Sequence, residues 1–252
     1  FRRPTTNYLK SLTNKGGMYK TIVSLILWPI WFLFFSFSMM LLLILILTIP
    51  RKYLYIYVCP LCWFYCFLGG QWLRKENNPP APEGQPYLYM FNHVSMFDQF
   101  MIGAYVRHYI TAVGAIEQFN YPIWGRIIKQ YGVIPIVRQR IREARKSLSA
   151  AEDALNNGVS FIISPEGTRT LTGELSPFKK GPFHLAKNTG ATIIPIGLHG
   201  GLKAKRKDDW RLRPSILTTR FGTPITNIEY GDLTIDEIKD LVRERIQQLM
   251  AT

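Results

Sequence analysis

The residues best suited to chemistry in this chain lie at 91–98, F-N-H-V-S-M-F-D, where His93 stands five positions before Asp98. Histidine is the side chain that takes up and releases a proton near neutrality. A carboxylate bonded to one ring nitrogen fixes the tautomer and leaves the other nitrogen free as a base. A spacing of five does not stack two side chains on one helix face, where partners stand three or four apart. The pair therefore meets only with His93 in a turn and Asp98 in the first turn of a helix, and that geometry is expected here. Taken alone, a solvated histidine and an unrelated helix-start aspartate fit the spacing equally well.

Three further stretches bear on this choice. G-V-I-P-I-V-R at 132–138 ends an apolar run in Arg138, and P-E-G-T-R at 165–169 follows another. In open α/β sheets ligands collect at the carboxyl ends of strands, and a guanidinium presents a planar fork of donors to phosphate. Gly167 clears a side chain where backbone must approach a ligand. A third apolar run ends in I-P-I-G at 194–197, beyond F-K-K-G at 178–181. Each stretch alone is equally a surface arginine or a plain turn.

Other candidates weigh less. Cys59, Cys62 and Cys66 include a C-x-x-C, but no second ligand pair or neighbouring histidine completes a zinc site, so they read as packing or lipid-facing thiols. His93, Asp98 and Glu166 lack the i, i+4 histidine pairing of helical zinc sites, and no metal is expected. His108, His184 and His199 sit in no motif and read as structural or surface residues. No G-x-S-x-G elbow is present, which argues against Ser95 or Ser164 as a covalent nucleophile.

The elements that must position these residues follow from charge and hydropathy. A formal net charge of +14 over 252 residues points to a polyanion or an anionic surface. Residues 21–50 carry no charge at all, a run longer than the roughly 20 apolar residues that span a bilayer. With no cleavage site behind it, this is expected to be a retained membrane segment, which makes a lipid surface the partner and not nucleic acid. Residues 1–20 form a basic arm suited to anionic headgroups. Residues 53–73 are uncharged but rich in Tyr and Trp, which favour the headgroup level. Together, 21–73 read as a two-helix membrane anchor, either a hairpin that crosses and returns or two helices in one leaflet. Basic flanks on both sides put both ends in the cytoplasm. The proline-rich stretch 74–86 reads as a linker, leaving 87–252 as the catalytic domain.

In that domain, expected strands at 87–91, 110–114, 133–137, 159–163, 192–196 and 215–221 alternate with helical stretches. One helix is expected at 143–157, and another follows the capping-box pair Thr234 and Glu237 to about residue 250. The alternation predicts an α/β fold: a mixed, largely parallel sheet flanked by helices.

The ordered set H-x-x-x-x-D, G-x-I-x-x-x-R, E-G-T-R and an apolar strand carrying Pro, with S-P-F-K-K-G-P-F-H-L-A at 176–186, resembles the glycerolipid acyltransferase family. Within it, the nearest likeness is to bacterial 1-acyl-glycerol-3-phosphate acyltransferases. The resemblance runs from about residue 87 to 221. It implies that His93 is the general base and Asp98 its orienting partner. It implies that Glu166, Gly167, Thr168 and Arg169, with Arg138, bind the glycerol phosphate, and that Pro195 shapes the pocket wall. It also implies no cofactor, an acyl-CoA or acyl carrier protein thioester as co-substrate, a lysophosphatidic acid acceptor, and a place at the bacterial inner membrane with the catalytic domain on the cytoplasmic face. The basic stretch 203–213 would then meet lipid headgroups or the acidic acyl carrier protein. One departure stands out: many relatives have a Lys where this chain has Ala115, so the oxyanion stabiliser is open. The same chemistry on glycerol 3-phosphate or a glycosylated lysolipid, and a non-catalytic lipid-binding protein of the same fold, are the alternatives.

Overall fold

The computed structural model describes the backbone of residues 6–84, 86–136 and 141–251, with their side chains except at 6–16 and 141–145. In chain order the elements are α1 (Thr6–Thr48), α2 (Tyr55–Leu68), β1 (Gln71–Glu76), β2 (Tyr87–Phe91), α3 (Asp98–Gly103), β3 (Ile110–Ala115), α4 (Trp124–Tyr131), β4 (Ile134–Ile136), α5 (Ile141–Asn156), β5 (Ser160–Ile163), α6 (Gly181–Thr189), β6 (Thr192–His199), α7 (Gly201–Ala204), β7 (Ser215–Phe221), α8 (Asn227–Tyr230) and α9 (Ile235–Ala251).

The strands form one sheet in the order β1-β7-β6-β2-β5-β3-β4. Every pairing is parallel except β6 with β7, so the expected mixed, largely parallel sheet is present. Alternation sorts the side chains. Tyr87, Tyr89 and Phe91 of β2 join Phe97, Met101 and Cys66 on one face. Leu88 and Met90 join Phe183, Leu185, Val242 and Ile246 on the other. Burial of these side chains, worth about 1.5–3 kcal/mol each, fixes the strand ends from which the site is built.

The N-terminal part differs from its expected layout. Helix α1 passes the boundary expected at residue 20 without a break and continues through Pro29. Its stretch Gly17–Thr48 is long and apolar enough to cross a membrane. One side is tied to the rest of the chain. Ser24 Oγ accepts the Leu212 N–H at 2.8 Å, and the Trp28 and Trp31 indoles donate to the Trp210 and Tyr65 carbonyls, both at 2.9 Å. The opposite side leaves Leu25, Leu33, Phe37, Ile44 and Leu47 exposed.

Helix α2 has 14 residues, about 21 Å at 1.5 Å per residue, against a hydrocarbon core of about 30 Å. By itself α2 falls short of that thickness. Its Cys59, Cys62, Tyr65 and Cys66 are buried, and Gly103 of α3 leaves room for the Cys62 sulfur. The linker expected at 74–86 also starts too early. Residues 74–76 belong to β1, which pairs with β7 from Gln71↔Ser215 to Glu76↔Arg220. β1 is an edge strand, and its exposed Trp72, Arg74 and Lys75 disguise it as polar linker, as edge strands commonly do.

Candidate active site

Strand β2 ends at Phe91, and the next residue decides where the chain goes. Asn92 is buried, and its amide bonds the Leu198 carbonyl at 3.0 Å and accepts the Leu198 N–H at 2.7 Å. A side chain thus replaces the ladder, and the main chain is released into a turn that carries His93. The turn is held by Asp98 in the first turn of α3. Asp98 Oδ2 lies 2.6 Å from His93 Nδ1 and accepts the N–H groups of Val94 and Ser95 at 2.8 and 2.9 Å. The carboxylate is fully buried. The expected geometry, turn histidine and helix-start aspartate, is therefore the geometry found. Nδ1 as the donor to a carboxylate leaves Nε2 as the lone-pair nitrogen, and Nε2 makes no hydrogen bond among the described residues.

The stretch 165–169 clamps the same turn from the other side. Glu166 accepts the His93 N–H on Oε1 at 2.7 Å and the Ser176 N–H on Oε2 at 2.9 Å. The Thr170 N–H donates to the His93 carbonyl at 2.8 Å. Glu166 is buried with both oxygens engaged by backbone. In this arrangement Glu166 braces the His93 turn through the backbone. Gly167 has φ +71, and the Lys179 side chain lies across the position a Cβ would take.

A cluster of cations lies beyond this clamp. Arg169 has no hydrogen bond or ion pair among the described residues. Lys205 is buried, its carbonyl accepts the Ser95 hydroxyl at 3.0 Å, and its Nζ bonds the Arg206 carbonyl at 2.7 Å. Burial and then the Arg169 charge pull the Lys205 pKa below its ordinary value. Lys207 Nζ donates to Thr168 Oγ1 at 3.1 Å. The nearby carboxylates are already engaged, Asp208 by Arg206 and Asp209 by Arg211. Like charges held together without a free carboxylate make a site for an anion.

His93 also lines a cavity of about 900 Å³. Its wall is largely apolar, with Phe35 and Met39 from α1, Val58 from α2 and Ile127 from α4. His108 and His184, which read as structural or surface residues from sequence, line it too. His108 Nε2 is 3.3 Å from the Tyr89 hydroxyl, and burial pushes its pKa down to about 4. Pro195 does not line the cavity. Its ring lies against Gly222 in the neighbourhood of Leu249 of α9, and no residue of β6 reaches the cavity wall, whose strand residues come mainly from β3 and β5 further along the sheet. That corrects its expected role as a wall residue. Arg138 lies outside the described residues. Asn92 and Lys205 were missed by sequence reasoning. An Asn at a strand end is a turn signal, whereas a lysine inside a basic run carries no such mark.

Comparison with known proteins follows the same lines. Residues 73–199 match the family model described as Acyltransferase. A 1-acyl-sn-glycerol-3-phosphate acyltransferase of Cocos nucifera is 31% identical over 66% of this chain and 56% of its own length. One from Limnanthes douglasii is 34% identical over 62% of this chain and 55% of its own. The chain thus spans just over half the length of these plant relatives. A protein of the same description from Haemophilus influenzae is 27% identical over 70% of this chain and 76% of its own. The crystal structure of a 1-acyl-sn-glycerophosphate acyltransferase from Thermotoga maritima shares the fold, with a TM-score of 0.77, 21% identity and coverage of 92% and 95% of the two chains.

Proposed function

The chain belongs to the acyltransferase family, and from that premise we propose that it moves an acyl group from a thioester to the free hydroxyl of 1-acyl-glycerol 3-phosphate, giving phosphatidic acid. The observation that carries this is the His93–Asp98 contact of 2.6 Å, with Nε2 unengaged beside a largely apolar cavity. A glycerol hydroxyl is too weak an acid to attack unaided, and a base that takes its proton in the transition state contributes on the order of 10²–10⁴ in rate. Asp98 holds the imidazole and stabilises the imidazolium. The thiolate leaves readily, since a free thiol has a pKa near 8.5. One base then suffices, with no cofactor beyond the acyl-CoA or acyl carrier protein thioester as co-substrate.

The cavity suits the acyl chain and the cations suit the acceptor phosphate. Arg169 supplies the guanidinium fork, with Thr168 and Gly167 shaping its approach. The basic residues flanking the uncharged stretch 21–50, Lys20 before and Arg51 and Lys52 after, favour a catalytic domain on the cytoplasmic side. Since α1 is tied along one side to that domain and α2 is too short to return, the one-leaflet layout is favoured over a crossing hairpin.

The test is turnover of the purified protein in vesicles, with labelled acyl thioester and either 1-acyl-glycerol 3-phosphate or its dephosphorylated form. Phosphatidic acid is expected from the first alone, and His93→Ala should abolish it while lysolipid binding persists. A parent protein that turns over no acceptor with either donor refutes the proposal.

A further inference from the structure

Acyl transfer puts negative charge on the carbonyl oxygen as the alcohol adds, and a donor aimed at that oxygen is a large part of such catalysis. Gly114 and Ala115 line the cavity without a donor side chain. Ser164 lines it too, and its Oγ is buried with no partner among the described residues.

Strand register places this hydroxyl. Met90 pairs with Ile163, and Ala112 pairs with Ile162. Carried on in parallel, Ser164 falls between Phe91 on one side and Gly114 on the other. Ile162 packs against the core containing Tyr89 and Phe91, so Ser164, two residues on, faces the same way. His93 follows two residues after Phe91, its ring edge-on to the Phe91 ring with centroids 5.5 Å apart. His93 and Ser164 thus line the same cavity, where a thioester carbonyl and the incoming oxygen would lie.

Resting on the assignment of His93 as base, we infer that Ser164 is a further catalytic residue whose Oγ–H donates to the thioester carbonyl oxygen as charge collects there. The acceptor oxygen bonds to the carbonyl carbon, its proton passes to His93 Nε2, and the π pair moves onto the oxygen held by Ser164. On collapse the carbonyl re-forms, the C–S bond breaks, and the thiolate leaves with the proton from His93. Ser164 itself forms no covalent bond.

The test compares the full-length parent protein with Ser164→Ala, Ser164→Thr, Ser164→Cys and His93→Ala in vesicles, using the same acyl thioester and lysolipid. Ser164→Ala is expected to lower kcat on the order of 10²-fold, with donor KM and melting temperature little changed. Thr should restore most of the rate, and Cys, a weak donor, should not. A kcat of Ser164→Ala within about threefold of the parent would mean the hydroxyl meets only water and would overturn the inference. So would a loss confined to KM, or an acyl ester found on Ser164 by mass spectrometry. Turnover by His93→Ala at the parent rate defeats the base assignment itself, whereas a silent His93→Ala beside a normal Ser164→Ala defeats only the role of the hydroxyl.

Discussion

The His93 turn and the cationic cluster beside it are built on opposite plans. In the turn, the donors are matched: Asp98 Oδ2 takes three N–H groups, Glu166 takes two, and the His93 main chain is bonded at both its N–H and its carbonyl. In the cluster, Arg169 and Lys205 stand close enough for one charge to lower the other's pKa, and the neighbouring carboxylates are already paired. The first region is braced by the chain itself and leaves only His93 Nε2 and the buried Asp98 Oδ1 without a partner among the described residues. The second is left with charge that an anion would balance. On the proposed function, geometry is fixed where a proton must move, and charge is unbalanced where the acceptor phosphate would be gripped.

The sharpest way to break this contrast is Asp98→Asn. The amide presents a donor where Nδ1–H needs an acceptor, and by analogy with the same change in a serine protease kcat should fall about 10⁴-fold. Steady-state kinetics should show KM for the lysolipid almost unmoved. Arg169→Ala should do the reverse, raising acceptor KM by about 10–100-fold, as expected for losing a charged hydrogen bond worth 1.5–3 kcal/mol. It should leave a phosphate-free acceptor unaffected. An exchange of the two patterns would show the roles to be swapped.

Glu166→Gln is intermediate in size. One of the two backbone N–H groups would face an amide NH₂, at a cost of about 1–3 kcal/mol. Thermal melting should drop by several degrees and kcat should fall with it, since His93 loses its support. An unchanged melting temperature and a raised acceptor KM would instead make Glu166 a ligand.

A smaller effect separates the cavity from both regions. The folded-state pKa of His108 is about 4, below the ordinary value of roughly 6.5. Between these values the unfolded chain binds the proton and the folded one does not, so stability falls as pH drops from about 6.5 to 4. The full contribution is up to about 3 kcal/mol at 1.36 kcal/mol per pKa unit, and about 2 at pH 5. Melting curves at pH 7 and 5 should therefore converge in His108→Phe relative to the parent. The smallest effect is expected at Lys207, whose exposed bond to Thr168 should change acceptor KM by no more than about threefold when removed by Lys207→Ala.

What the sequence made legible follows the range of each interaction. The His93–Asp98 contact closes within six residues, so its spacing admitted the pair, and the ordered motifs further along the chain decided for it. The inner strands β2, β5 and β6 were legible because apolar runs mark them. Glu166 was recognised as part of the site, but its partners, backbone groups at 93 and 176, are ones no side-chain pattern reveals. Pro195 was expected in the pocket wall because an apolar strand end read without the strand order does not say how far it lies from the cavity. β1 was missed because an edge strand is built to look polar, and the length of α2 was hidden by an aromatic run that continues past its end into that strand.

Helix α1 is bonded to the domain at Ser24, Trp28 and Trp31 while its other side offers only hydrocarbon. On the proposed function, the His93 turn would therefore ride at a set depth relative to the lipid, like a float on a short tether. A lysolipid acceptor arriving there would keep its tail among its neighbours and be spared an extraction of about 0.8 kcal/mol per methylene. Encounter is then a lateral event, so turnover should scale with how densely acceptor populates the vesicle surface rather than with its amount per volume.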